Sequence, residues 1–382
     1  MKYNLSDICE YAKGKVDVTA LNEQTYISTE NMMPNKCGIT RASSLPTTAQ
    51  TQSFLAGDVL VSNIRPYFKK IWFADFDGGC SNDVLVFRAK EGVSKRFLYY
   101  ALADDAFFDY SMATSKGTKM PRGDKAAIMK YEVPHFTFEE QERIAGILEV
   151  LDSKIQLNSQ INENLEEQLL TYYRELFVTN AKATWKIGTI ADLGNVVGGS
   201  TPSKKIDKYY TEHGIAWITP KDLSNDHSKF ITHGEIDITE LGLANSSAVR
   251  MPPGTVLFSS RAPIGYIAIA DGEVTTNQGF KSVVPFDEIG TAFVYCFLKE
   301  NLTVIENMAS GSTFKEISGS TMKIVPAVIP DSETLSVFRD YADALFGEQR
   351  NNEAENRRLS AIRDSLLPRL MSGELDVSDL DI

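Results

Sequence analysis

Between Ser115 and Lys125 four basic side chains, Lys116, Lys119, Arg122 and Lys125, fall within ten positions among small, turn-forming neighbours. Cations on a turn-rich segment suit contact with phosphates, although a merely solvated loop has the same composition. Two other groupings offer chemistry on paper. His227 and His233, with Asp222, Asp226 and Glu235, could ligate a metal, but their spacing fits no zinc pattern and Ser224-Asn-Asp-His-Ser228 reads as a turn. Ser259-Ser-Arg261 sits in no G-x-S-x-G elbow, and no histidine is placed to act as its base. A GxxxxGK[ST] phosphate loop is also absent. The residue inventory therefore points to binding, with no metal site and no catalytic residue.

The elements that carry these residues are duplicated. From Glu139 to Val178 an apolar seam runs through Ile144, Leu148, Leu151, Ile155, Asn158, Asn162, Leu165, Leu169, Tyr172 and Leu176. Its alternating steps of four and three mark a coiled-coil face. Adding 194 to each position gives Phe338, Ala342, Leu345, Gln349, Asn352, Asn356, Leu359, Arg363, Leu366 and Leu370, so both asparagines return with the seam. One such helix cannot bury its own seam, and two in one chain are expected to pair. In antiparallel order Asn158 would face Asn356, and Asn162 would face Asn352, setting the helix register.

Each helix follows a mixed segment of strands and helices. Strand-like runs occupy Tyr26 to Met32, Gly57 to Ser62, Lys70 to Asp75 and Asp83 to Arg88, with a helix expected over Lys95 to Tyr110. Gly57-Asp-Val-Leu-Val-Ser62 returns as Gly254-Thr-Val-Leu-Phe-Ser259, and Pro66 returns as Pro263. Thr137 followed by Glu140 is a capping-box pattern for the first long helix. The whole reads as an α/β (mixed α+β) chain with a pseudo-twofold internal repeat. Its segments are 1–137, a helix over 138–180, 181–330, and a second helix with a tail over 331–382.

Charge separates along the same lines. The net charge of −12 arises from the helical segments: 138–178 and 331–382 each carry −6, whereas 1–137 carries +2 and 179–330 carries −2. A local phosphate-binding face remains open to either mixed segment. No run of eighteen apolar residues and no cationic-then-apolar leader occurs, so a cytoplasmic protein without membrane contact is expected. Cys9, Cys37, Cys80 and Cys296 form no CxxC pair and are expected to be reduced.

An ordered set of motifs in the second half names a family. Gly198-Gly-Ser-Thr-Pro-Ser203, Tyr209-Tyr210 and Gly214-Ile-Ala-Trp-Ile-Thr-Pro-Lys-Asp222 resemble the opening of a target recognition domain of Type I restriction-modification specificity subunits. Leu257-Phe-Ser-Ser-Arg-Ala-Pro-Ile-Gly265, Thr276-Asn-Gln-Gly-Phe-Lys281 and Ala309-Ser-Gly-Ser-Thr-Phe-Lys-Glu-Ile317 continue the likeness in order. The first half keeps Gly57-Asp-Val-Leu60, Ser62, Pro66, Asn82 and the Glu139 to Ile144 helix start.

The resemblance implies two target recognition domains, 1–137 and 181–330, separated by two long antiparallel coiled-coil helices. It implies a noncatalytic subunit that reads a bipartite, asymmetric site in double-stranded DNA with an unspecified spacer. Partners would be two adenine-methyltransferase subunits and, in the restriction form, translocating nuclease subunits. A modification-only complex would use the same kind of subunit, and a coiled-coil scaffold without DNA is the remaining alternative. The chain itself should need no cofactor, with S-adenosylmethionine and ATP expected on the partners; it has no Asn- or Asp-Pro-Pro-aromatic motif for adenine methylation. Candidate DNA contacts in the first domain are Arg65, Tyr67, Lys69, Lys70, Lys116, Lys119, Arg122 and Lys125. In the second they are Ser203, Lys204, Lys205, Lys208, Tyr209, Lys221, Arg261, Asn277, Gln278, Lys281, Ser312, Thr313 and Lys315.

Overall fold

Val59–Ser62 and Val84–Ala89 are short apolar runs rich in β-branched residues, and they form neighbouring antiparallel strands with both faces covered. The computed structural model describes residues 2–226, 228–261, 263–311 and 315–377. The chain packs as two units, residues 1–156 with 357–382 and residues 157–356, and each long helix lends a part to both.

In the first unit a four-stranded antiparallel sheet runs in the order Cys9–Tyr11, Val84–Ala89, Val59–Ser62, Ile71–Phe73. A second sheet orders Lys15–Asp17, Gln50–Phe54, Gly78–Cys80 and Tyr26–Ile27, the last pair being parallel. Val59, Val61, Leu85 and Phe87 face a core with Phe97, Leu98 and Phe107 of the following helices and with Ile144, Leu148, Leu367 and Leu370 of the long ones. Leu60, Val84 and Val86 face the opposite way onto Ile27, Met32 and Phe54.

The second unit repeats this order. Its sheet runs Gly194–Gly198, Lys281–Pro285, Val256–Ser260, Ile264–Ala270, extended by Phe230–Ile231. Parallel Trp217–Ile218 and Thr275–Thr276 match the Tyr26–Ile27 and Gly78–Cys80 pair of the first unit. Lys186–Thr189 with Pro326–Ile329 likewise matches Lys2–Asn4 with Glu132–Pro134.

The strands expected over Gly57 to Ser62 and Lys70 to Asp75 are trimmed to Val59–Ser62 and Ile71–Phe73, and two further elements are cut short by a side-chain hydrogen bond. The strand expected over Tyr26 to Met32 stops at Ile27, because the Asn31 amide replaces a strand partner: its Oδ1 accepts from Ser28 N at 2.6 Å, and its Nδ2 donates to Thr40 O at 2.8 Å. The helix expected over Lys95 to Tyr110 is two helices, Lys95–Ala103 and Asp105–Ala113. Asp104 stands between them in extended conformation and caps the second through Ala106 N at 3.0 Å.

The first long helix, Phe138–Arg174, opens on a capping box in which Glu140 Oε2 accepts from Thr137 N at 2.6 Å and Thr137 Oγ1 from Glu140 N at 3.3 Å. A wider π turn, Glu175–Thr179, ends it. The second is Ser332–Met371. Within the second unit the two run antiparallel: Tyr172 meets Phe338 and Tyr341, while Asn158 meets Asn356. Within the first, Asp152 accepts from Arg363 Nη1 at 2.8 Å and from Tyr100 Oη at 2.9 Å. The seam position Arg363, whose counterpart in the first helix is Leu169, thus holds a charged pair.

Candidate nucleic-acid interface

In the first unit, the chain leaving Val59–Ser62 builds the candidate surface. Asn63 N donates to Asp83 O, and Ile64 bridges to Arg122, which itself pairs in both directions with Lys116 at 2.9 Å. The basic loop is therefore closed at its base and fastened to the end of a core strand. Lys116 and Arg122 lie on the surface in ion pairs with Asp124 at 2.6 Å and Asp83 at 3.1 Å. Lys119 and Lys125 are exposed at the tip and the far end. Such exposed pairs are weak, so a phosphate can displace the carboxylate.

Beside the loop stands a turn, Pro66–Phe68, bracketed by Arg65 at φ 51° and Lys69 at φ 49°. Asn35 and Lys36, at φ 55° and 63°, donate their N–H groups to Phe68 O and Lys69 O. These four are the non-glycine residues with positive φ among the described residues. Each left-handed residue with a Cβ costs about 1–2 kcal/mol, so the surrounding fold must impose the shape. Lys36 and Lys69 both reach Asp105 at 2.8 Å, and although burial works against its charge, these two cations hold its carboxyl below the usual range. Arg65 N donates to Pro121 O at 2.8 Å, joining the turn to the basic loop. Lys70 is drawn inward: its Nζ donates to Thr29 O at 2.6 Å, and burial pushes its pKa down. Of the eight residues named for this domain, all belong to this one neighbourhood or its flank at Lys125. Sequence reading passed over Lys36, Phe68 and Met120; the Tyr67-Phe68 pair between cations was the available signal.

The second unit builds the same frame from different residues. Arg261 bridges to Glu316, and Glu316 pairs with Ser310, so 261, 316 and 310 stand where 64, 122 and 116 stand in the first unit. The central position is an acid here and a base there. Glu316 faces Arg261 at 3.4 Å and Lys281 at 3.7 Å. Lys281 is mostly covered and burial lowers its pKa. Gln278 is exposed and accepts from Thr201 Oγ1, while Asn277 Oδ1 accepts from Gly279 N at 2.8 Å to shape the turn. Lys315 is exposed next to Glu316. Lys221 pairs with Glu235 nearby, since Asn277 N donates to Ile218 O on the strand before it. Ser203, Lys204, Lys205 and Lys208 are exposed on a separate turn. Tyr209 departs from its expected role: it is buried, with its carbonyl accepting from Thr239 N, and offers packing rather than a surface. Ser312 and Thr313 lie outside the described residues.

The other groupings are committed elsewhere. Asp222 accepts from Thr219 N at 2.7 Å and Glu235 N at 2.8 Å, and His233 Nδ1 sits 3.2 Å from Asp237. His227 lies outside the described residues, and among those described no three His, Cys, Asp or Glu side chains gather as a metal site. Cys9, Cys80 and Cys296 are buried, and burial pushes the first two thiols up to about 12. No helix among the described residues is long and apolar enough to cross a membrane.

The model of the Type I restriction modification DNA specificity domain matches residues 1–167 and again 182–356. The Type I restriction enzyme MjaIX specificity subunit of Methanocaldococcus jannaschii is 38% identical over 189 residues, covering 48% of this chain and 44% of that relative. The HindI specificity subunit of Haemophilus influenzae is 25% identical over 460 aligned positions, covering 98% of this chain and 99% of that one. In fold, the chain is similar to the S subunit of a Type I restriction-modification system from M. genitalium, with a TM-score of 0.55 at 17% identity over 99% of this chain and 96% of the other.

Proposed function

The chain belongs to the family of Type I restriction modification DNA specificity domains, of which it holds two copies, and from that we propose that it reads a bipartite, asymmetric DNA target separated by an unspecified spacer. Each copy takes one half-site. The chain contributes no catalytic group and positions adenine-methyltransferase subunits, with restriction subunits joining them where a nuclease is present.

One observation carries the reading: the same closed loop on the same strand end is built twice, with Ile64, Arg122 and Lys116 in one unit and Arg261, Glu316 and Ser310 in the other. A shared frame with exchanged chemistry is what two readers of different base sequences require, since phosphate contacts position a protein while base-edge contacts specify. A coiled-coil scaffold would leave this surface variation without a purpose. Mapping methylated adenines across the host genome tests the proposal. An interrupted, asymmetric motif that disappears when the gene is deleted is expected; a continuous or palindromic motif would sink it.

A further inference from the structure

Tyr67 and Phe68 are 48% and 38% exposed, side by side with ring centroids 4.7 Å apart, on the turn that the left-handed residues Arg65 and Lys69 bracket. Exposed neighbouring aromatics are costly to leave in water and call for a partner. Their setting indicates which. Lys70 Nζ lies 5.8 Å from the Phe68 ring centre, Lys36 and Lys69 stand at the base of the turn, and Arg65 Nε is buried without a hydrogen-bond partner. Met120, 47% exposed, precedes the Pro121 carbonyl that anchors Arg65. An apolar tip joined through Pro121 to the loop that carries the exposed cations Lys116 and Arg122 suits a duplex: phosphates can meet those charges while the tip meets base faces.

Resting on the DNA-recognition reading, we infer that Tyr67 and Phe68 are a wedge that enters the DNA at one half-site and partly unstacks a base step. The backbone supports the role. Asn35 and Lys36 hold Phe68 and Lys69 by their carbonyls, and the helix Asp105–Ala113 packs beneath, so the turn is rigid enough to push. In the second unit the corresponding stretch has no aromatic pair, and Ile264 already belongs to a strand. The distortion therefore belongs to one half-site, whose sequence is chosen partly by how easily it opens.

The test uses the full chain and a duplex carrying the mapped methylation motif, with 2-aminopurine placed at successive steps of each half-site other than the methylated adenine. Binding of the unaltered chain should raise fluorescence several-fold at one step of one half-site. Tyr67→Ala/Phe68→Ala should abolish the rise and reduce discrimination at that half-site about tenfold, with an unchanged melting curve and salt slope. No rise anywhere on specific binding, or a rise that survives in the variant, overturns the wedge while leaving recognition intact. A variant that unstacks DNA normally but loses methyltransferase subunits overturns it too, making the turn a protein contact. A chain with no affinity for the duplex overturns the recognition reading, and the wedge with it.

Discussion

Individual cations on this surface are held by carboxylates of the same unit. Lys116 pairs with Asp124, Arg122 with Asp83, and Lys69 with Asp105, which restrains the side chains without consuming much free energy. Displacing a carboxylate by a phosphate then releases counterions and keeps one ion pair per cation. Replacing Lys116, Lys119 and Arg122 together by Gln is expected to lower the slope of log K against log salt by about 2–3, at ~0.9 per lost phosphate contact. Titration of duplex binding at several salt concentrations measures it, and an unchanged slope would return the loop to ordinary surface. Lys229 behaves in the opposite way. Its side chain is 7% exposed, paired with Glu166, 2.6 Å from Gln349 Oε1, and 4.8 Å from the ring centres of Tyr295 and Phe346. Burial pushes the Glu166 carboxyl up, but Lys229 and Lys299 together hold it below its usual range. Lys229→Ala should cost about 3 kcal/mol, the lower end of the range for stranding a buried charge, because Lys299 remains 3.2 Å from Glu166. Urea denaturation checks this, and Lys229→Met/Glu166→Gln should recover most of the loss.

At the level of elements, the helix pair carries an amide ladder. Asn158 Nδ2 donates to Asn356 Oδ1 at 2.9 Å and to Glu355 at 2.7 Å, while Asn352 Nδ2 donates to Asn162 Oδ1 at 2.9 Å. Gln349 extends the ladder through the Asn162 carbonyl at 2.9 Å. Asn158 is fully buried and its own Oδ1 finds no partner, so the ladder is not the most stable filling of this space. We propose that it sets register: a slipped pairing would face amides with aliphatic layers. Converting Asn158, Asn162, Asn352 and Asn356 to Leu is expected to raise the melting temperature, by roughly 2–4 °C for each kcal/mol gained. The same variant should discriminate less between target spacers of different length. Calorimetry together with methylation of a spacer series decides; lower stability with strict spacing would refute the register role.

For the whole molecule, two units with one topology and unlike loops predict independence. Exchanging residues 184–325 for the equivalent domain of a relative should change one half of the methylated motif and leave the other intact. Sequencing of methylated DNA from cells carrying the chimera reads the outcome directly. A change in both halves would mean that the units do not read separately, and the repeat would then serve assembly instead.

Periodicity and duplication were legible in the chain because they are local properties: a 3.5-residue seam, a capping box and a repeated Gly-x-Val-Leu strand depend on neighbours a few residues away. The asparagine layers were legible for the same reason, as was the concentration of cations around positions 65–70 and 116–125. What composition could not decide was which side chains are spent inside the fold. Tyr209 in a polar, basic stretch is buried, Lys229 in a turn-like stretch is an interior charge, and the Tyr26 strand ends early because Asn31 turns back on it. Those outcomes depend on partners beyond the local stretch: Thr40 is nine positions from Asn31, and Glu166 is 63 from Lys229, while Thr239 holds Tyr209 from another element. The left-handed turn that presents Tyr67 and Phe68 is the clearest case: its strained φ angles are imposed by Asn35, Lys36 and Asp105, which only tertiary packing brings to it.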